Sequence, residues 1–437
     1  MAATANVWPL ALLVSLFVLW GAANNLNDIL IKQFQKAFTL GDMQASLVQS
    51  AFYTGYFIGA LPAARLARAY GYKISITTGL ALFSVGAFLF FPISRNGGSY
   101  PGFLVCLYLI AFGLAFLESA ANPWIVLLGD SSKPGSGSGI LALNFAQAFN
   151  PLGSIGGILI GRFFILDGRE YVPPQGKQTL PGAMTEYQRH EAAMVGVPYV
   201  VLGCVVAVLT LCFICTKFPR TSADDSEPDR QLTFARFCAC ANRLWRVPGF
   251  AQGLLAQFTY VGAQVCIWSF VIRLVQAELP GVSETRAADF MLFSLVTFML
   301  GRFAAAALLL VVNERRLLCI YAVFACLMTV IIAAVRGRAA VAAVCAASFF
   351  MSMMYPTIFG LVLAPLDGQD TEVAAALLVM MVVGGAAVAP VMGGVSDASS
   401  IALAYLVPGA CFLNIAAFAA QHSLGRFHAE FKPLLRN

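Results

Sequence analysis

The chain has 437 residues, of which 59% are hydrophobic and only 11% charged, with a mean hydropathy of +0.80. A soluble globular protein of this size has no interior large enough to hide that much apolar surface, and the length of the apolar runs points to an all-α membrane protein. The net charge of +6 then belongs to loops flanking a bilayer and is no sign of a nucleic-acid partner.

Apolar runs long enough to span fall at 8–34, 43–66, 73–93, 101–129, 138–166 and 193–216. A second set falls at 249–277, 287–312, 316–335, 339–365, 372–395 and 401–421. The N-terminus lacks a basic stretch and a cleavage site, so the first run is expected to be retained as a span. Twelve spans leave both termini on one side. Loops on that side hold the excess of Lys and Arg, including Arg65, Arg68, Lys73, Arg315 and Arg316, which makes it cytoplasmic. The most charged stretch, 217–248, divides the spans six and six. The expected organisation is an N-terminal bundle over 1–217, a cytoplasmic linker over 218–248 and a C-terminal bundle over 249–437. A surface helix is expected around Phe234–Trp245. No N-x-Ser/Thr sequon occurs, which agrees with a bacterial inner-membrane protein.

The two halves repeat each other at an offset of about 240 residues, as in two-bundle transporters. Phe52-x-x-Gly55-x-Phe57 recurs as Phe298-x-x-Gly301-x-Phe303, and Ser119-x-x-Asn122-Pro123 as Ser352-x-x-Tyr355-Pro356. Gly21-Ala22 answers Gly262-Ala263, each followed closely by an amide. The glycines Gly55, Gly59, Gly153, Gly156, Gly157 and Gly161 read as sites of close helix packing.

Polar groups inside these runs mark candidate sites, because an ionisable side chain in mid-bilayer costs roughly 2.5–3.5 kcal/mol even on the gentler insertion scale. The first span contains Trp20-Gly-Ala-Ala-Asn-Asn-Leu-Asn-Asp28, and helical spacing gathers Asn24, Asn25 and Asp28 along one side. Asp28 either lines a pathway or snorkels to the headgroups; the apolar residues after it favour the pathway. Glu118 lies in Leu117-Glu-Ser-Ala-Ala-Asn-Pro123 with a wholly apolar stretch before it, so it has no snorkelling route. Pro123 removes a backbone donor and frees the Ser119 carbonyl, and Asn122 shares the face of Glu118. The alternative for Glu118 is a structural bond between helices.

The fifth span adds Asn144, Gln147 and Asn150, spaced three apart and followed by Pro151. Uncharged amides suit neutral, hydroxyl-rich ligands, since each offers donors and an acceptor; they serve equally as glue between helices. The seventh span carries Gln257, Tyr260, Gln264 and Trp268 on one face. Trp268, Tyr355 and Trp20 offer aromatic faces against which the C–H surface of a sugar packs, or pack within the protein. Arg302 in the eighth span needs a partner or water, and the sequence names none.

Other chemistries find no support. The eleven cysteines lie mostly in apolar runs, and Cys212-x-x-Cys215 has no second pair, so neither metal nor redox sites are expected. His190, His422 and His428 fall in loops or the tail, with no catalytic set and no phosphate-binding Gly-Lys-Ser/Thr loop. No enzyme, metal or cofactor is read.

Together these motifs resemble the fucose–galactose–glucose:proton symporters of the major facilitator superfamily. The segments that carry the resemblance are Trp20–Asp28, Gln49-Ser-Ala-Phe-Tyr-x-Gly-Tyr-Phe57, Leu117–Pro123, Leu143-Asn-Phe-Ala-Gln-x-Phe-Asn150, Gln257-Phe-x-Tyr-Val-Gly-Ala-Gln264, Tyr355-Pro-Thr-Ile-Phe359 and Gly393-Gly-Val-Ser-Asp-Ala398. The resemblance implies a twelve-helix fold in two pseudo-symmetric six-helix bundles, alternating access, and import of a neutral hexose, L-fucose foremost, with a proton as coupling ion. It assigns proton coupling to Asp28 and Glu118, with Asn25, Gln147 and Asn150 lining the sugar cavity. A symporter for glucose, galactose or N-acetylhexosamine, coupled to a proton or to sodium, is the alternative. A non-transporting sugar sensor is a second class, disfavoured because it has no use for two costly carboxyls. The chain is read as a monomer whose partners are the sugar and the lipid bilayer.

Overall fold

The computed structural model describes residues 7–38, 47–95, 98–132, 138–160, 164–165, 189–218, 234–366 and 369–431. Long apolar stretches form helices because, inside a bilayer, a backbone must satisfy its own N–H and C=O groups. In chain order the helices are α1 (Val7–Phe38), α2 (Leu47–Tyr70), α3 (Tyr72–Arg95), α4 (Tyr100–Ser132), α5 (Ser138–Gln147), α6 (Asn150–Ile160) and α7 (Gly196–Cys215). Next comes α8 (Phe234–Leu244), followed by α9 (Phe250–Glu278), α10 (Glu284–Leu308), α11 (Glu314–Ala334), α12 (Arg338–Met351) and α13 (Met354–Leu363). The last four are α14 (Gln369–Met380), α15 (Gly384–Ala398), α16 (Ile401–Ala404) and α17 (Leu406–Phe431).

Ten helical stretches among the described residues are long and apolar enough to cross a membrane. Two more complete the twelve. One is α2, whose Gln49, Tyr53 and Tyr56 dilute its apolar character; the other is the fifth span, broken into α5 and α6. The hydropathy of the run 138–166 gives no hint of that break. At the join Ala148 and Phe149 form a tight turn, with Phe149 N–H donating to the Ala146 carbonyl at 3.4 Å. Pro151 follows and has no N–H to carry an unbroken helix forward. The eleventh span has a comparable break, a 3-10 turn over Met381–Val383 between α14 and α15. The surface helix expected in the linker is α8.

The chain divides into two compact units, one of Met1–Ala121 with Leu152–Pro219, the other of Asn122–Pro151 with Arg220–Asn437. In the first, the C-terminal end of α1 sits in an aromatic cluster: Phe34 stacks on Phe103 at 4.9 Å, and Phe90 stacks on Tyr199 at 3.9 Å. At the opposite end of α1, the Trp8 indole N–H donates to the Thr216 hydroxyl at 3.0 Å. Lys73 donates to the carbonyls of Ile214 and Thr216, both at 2.9 Å, satisfying the acceptors that α7 leaves open at its C-terminus. Close approach of backbones is the rule here. A Cβ on Gly153 would lie 1.8 Å from the Val18 carbonyl oxygen of α1, and one on Gly55 would lie 2.8 Å from that of Tyr108 in α4.

The second unit repeats both approaches. A Cβ on Gly384 would lie 2.1 Å from the Phe258 carbonyl oxygen of α9, and one on Gly301 would lie 2.5 Å from that of Phe349 in α12. The first and fifth spans thus meet as the seventh and eleventh do, and the second meets the fourth as the eighth meets the tenth. Internal duplication is therefore visible in packing as well as in motif. On the edge of the second unit, α8 buries Phe237, Cys240 and Leu244 and leaves Trp245 exposed. Arg243 of α8 is paired with Asp370 in the first turn of α14.

Candidate functional site

Within the first unit Glu118 is buried in the middle of a spanning helix. Its carboxyl, carried by α4, is only 3% exposed, with Phe116, Leu117, Ala120 and Ala121 buried around it. The buried hydroxyl of Tyr56 on α2 lies beside Trp20 of α1 and within electrostatic reach of Glu118. Tyr56 was not singled out from the sequence. Its signal was the motif Gln49–Phe57, which reads as a packing element until the helices are placed. Trp20 is half-buried and also contacts Phe17, with ring centroids 6.4 Å apart. Asn25 is buried and turns its amide back on its own helix, donating to the Gly21 carbonyl at 3.1 Å. Asp28 lies on the same helix, but its side chain is outside the described residues. Among the described residues, one further buried carboxyl belongs to this unit. Glu191 accepts from Gln33 of α1 at 2.6 Å, and the same amide nitrogen donates to the Glu191 carbonyl at 2.9 Å.

The second unit gathers amides around Arg302. This arginine of α10 is buried and donates to the backbone carbonyl of Gln147 and, at 3.2 Å, to the Gln147 side-chain oxygen. The carbonyl is available for a reason written in the sequence. Residue 151, four further on, is a proline and has no N–H to occupy it. The guanidinium also sits over the Phe298 ring, 4.8 Å from its centroid, and beside the Tyr260 hydroxyl. This is the partner set that the sequence did not name for Arg302. Gln147 in turn donates to the Asn122 side-chain oxygen at 3.1 Å, so Arg302, Gln147 and Asn122 form one relay.

The three amides of the fifth span, equivalent by spacing, separate by environment. Asn144 donates to the Thr357 hydroxyl of α13 at 3.1 Å and to the Ile140 carbonyl at 3.0 Å, which is the behaviour of helix-to-helix glue. Gln147 closes α5 inside the relay. Asn150 stands beyond the turn, at the start of α6, and is half-buried. The break therefore takes it off the continuous face that a three-residue spacing suggests.

On α9, Gln257 is fully buried, and neither its amide nitrogen nor its oxygen has a hydrogen-bond partner. One turn on, Tyr260 faces Tyr355 at 6.0 Å between ring centroids. Gln264 and Trp268 are half-buried further along the same helix, Trp268 meeting Phe298 edge-on at 5.0 Å. Buried amides and indoles surrounded by apolar helices are high-cost features unless a ligand or water satisfies them.

Residues 11–390 match the sequence model of the Major Facilitator Superfamily. The chain belongs to the Major Facilitator Superfamily. Among curated relatives of this superfamily member, the L-fucose-proton symporter of Escherichia coli (strain K12) is 42% identical over 420 residues, covering 95% of this chain and 93% of the relative. A glucose/galactose transporter of Brucella abortus is 33% identical over 411 residues, covering 94% and 92%. Among solved structures, a crystal structure of the Major Facilitator Superfamily transporter FucP in the outward conformation superposes with a TM-score of 0.83 at 40% identity, covering 94% of this chain and 98% of that one. The twelve-helix major facilitator fold is thus the fold of this chain, an integral multi-pass membrane protein, and the resemblance read from the motifs holds from end to end.

Proposed function

We propose that this superfamily member is a secondary active transporter that imports L-fucose together with a proton by alternating access. The observation that carries the reading is the 42% identity to an L-fucose-proton symporter, maintained over 95% of the chain. Asp28 and Glu118 are the proton-coupling carboxyls. A carboxylate in mid-span is costly, so Glu118 takes or yields its proton as its route to water changes sides. Asn25, Asn122, Gln147 and Asn150 pair with sugar hydroxyls, and Glu118 accepts from one of them. Gln257 and Gln264 contribute from the seventh span, where Gln257 holds two unsatisfied polar atoms. Trp20, Trp268 and Tyr355 present apolar ring faces to the C–H surface of the sugar. The two six-helix bundles, over 1–217 and 249–437, reorient about the linker 218–248 as a monomer with both termini cytoplasmic. No cofactor takes part.

Uptake of a panel of labelled hexoses into vesicles, with and without an imposed pH gradient, tests this. L-fucose is expected to accumulate when the outside is acidic and to stop when a protonophore collapses the gradient. Accumulation that instead follows a sodium gradient would overturn proton coupling, and absence of any hexose uptake would overturn transport itself. A second reading, glucose or galactose as substrate, has support in the 33% identical Brucella abortus transporter. Competition by unlabelled D-glucose and D-galactose against L-fucose separates the two.

A further inference from the structure

The relay from Arg302 to Asn122 has a direction. A guanidinium only donates hydrogen bonds, so the groups it touches on Gln147 are acceptors: the backbone carbonyl and the side-chain oxygen. That contact fixes which way the Gln147 amide points and leaves its nitrogen to face Asn122. The nitrogen donates to the Asn122 oxygen at 3.1 Å, and Asn122 is oriented in its turn. Its own nitrogen is what remains. That nitrogen is fully buried and has no hydrogen-bond partner. Arg302 Nε is likewise buried and unbonded, so each end of the relay keeps an unused donor. An amide left alone offers donor and acceptor equally; these two do not.

We infer that Arg302 is a positioning residue that makes Asn122 a donor-only subsite, and that this subsite takes an acceptor oxygen of the sugar, a hydroxyl lone pair or the ring oxygen. The inference rests on the reading of Gln147 and Asn122 as sugar contacts. It adds a polarity that the residue types alone do not carry: the sugar oxygen at this point must accept, whether or not it can also donate. A buried unpaired N–H is costly, so the fit is selective against sugars lacking oxygen there.

The test uses the full-length purified protein and calorimetric titration with L-fucose, each variant checked by its melting curve. Asn122→Asp keeps an oxygen for Gln147 and removes the donor; it is expected to bind at least tenfold more weakly than wild type. Arg302→Met removes the group that sets the direction and is expected to bind similarly weakly. Arg302→Lys, which still only donates, recovers most of that loss. Because both changes act on one relay, Asn122→Asp in the Arg302→Met background costs less than threefold more. Wild-type affinity in Asn122→Asp, or losses that multiply in the double variant, overturns the inference. If Arg302→Met does not fold, Asn122→Asp alone decides. Gln147→Ala separates the two levels: unaltered affinity there sinks the sugar-site reading itself, while weakened binding beside an unaffected Asn122→Asp sinks only the polarity.

Discussion

Substituting Gly153 by alanine tests the packing of the first unit at its tightest point. The added Cβ would lie 1.8 Å from the Val18 carbonyl oxygen and 2.6 Å from the Val18 carbonyl carbon, whereas contacts of 3.0–3.4 Å are already tight. Both obstacles are backbone, so no rotamer relieves the clash; α1 and α6 must part by about 1.2–1.6 Å, the difference between those distances. Overpacking of this kind costs about 1–3 kcal/mol, and a radial gap of even 0.5–1 Å along the seam forfeits roughly a quarter to a half of each dispersion contact beyond it. The better helix propensity of alanine returns at most about 1 kcal/mol. Gly156→Ala is the control: on the same helix its Cβ meets nothing within 4 Å, so only the propensity gain remains. Gly157→Ala falls between, with its Cβ 2.6 Å from the Ala22 carbonyl oxygen. Purified variants, melted in detergent and followed by size-exclusion fluorescence, are expected to rank Gly153→Ala lowest, then Gly157→Ala, then wild type, with Gly156→Ala at or above it. L-fucose uptake by Gly153→Ala should fall too, because α1 carries Asn25 and Asp28. Equal melting of Gly153→Ala and Gly156→Ala would refute the reasoning.

Three further outcomes follow from the same geometry and the proposed mechanism. Asp28→Asn is expected to abolish gradient-driven uptake while sugar-for-sugar exchange continues; loss of both, with loss of sugar binding, would move Asp28 from the proton path to the sugar site. A thiol reagent that cannot cross membranes should label Cys238, which is exposed, in inside-out vesicles and spare it in intact cells; buried Cys240, 3.6 Å from Asp370, should stay unlabelled. Lys73→Ala leaves the Ile214 and Thr216 carbonyls at the end of α7 to water and should lower stability by about 1 kcal/mol, read as a lower melting temperature with sugar affinity unchanged.

Much of the fold was legible because the bilayer imposes it. Apolar runs of spanning length, an even count and a charged stretch between two sets give the twelve helices without reference to packing. The small-residue motifs carried more than expected. Phe52-x-x-Gly55 and Phe298-x-x-Gly301 look like a repeat on paper, and each glycine proves to be where one backbone meets another. Gly156 has the same appearance in sequence, yet a Cβ there would meet no other part of the protein within 4 Å. Glycine identity signals that a close approach is permitted, while the phase of the helix decides whether it is used. The turn at Ala148 and Phe149 is invisible to hydropathy, which does not register a break that leaves the residues apolar.

The site was legible in its residue types and not in its connections. Asn144, Gln147 and Asn150 differ only in position, yet one binds helix to helix, one joins an arginine relay and one begins a new helix. What separates them is which helices face the fifth span, a tertiary fact with no local signature. Arg302 shows where the limit lies. Its need for a partner was certain from its place in an apolar run, and a carbonyl freed by Pro151 was written four residues after Gln147. Neither half of that pair points to the other along the chain, since they are 155 positions apart. A proline within a spanning helix does name a carbonyl open to an outside donor, and a lone intramembrane arginine does name a donor in search of acceptors. Matching such freed carbonyls against such lone cations narrows the search without closing it, since Pro123 and Pro390 lie within helices and free carbonyls as well.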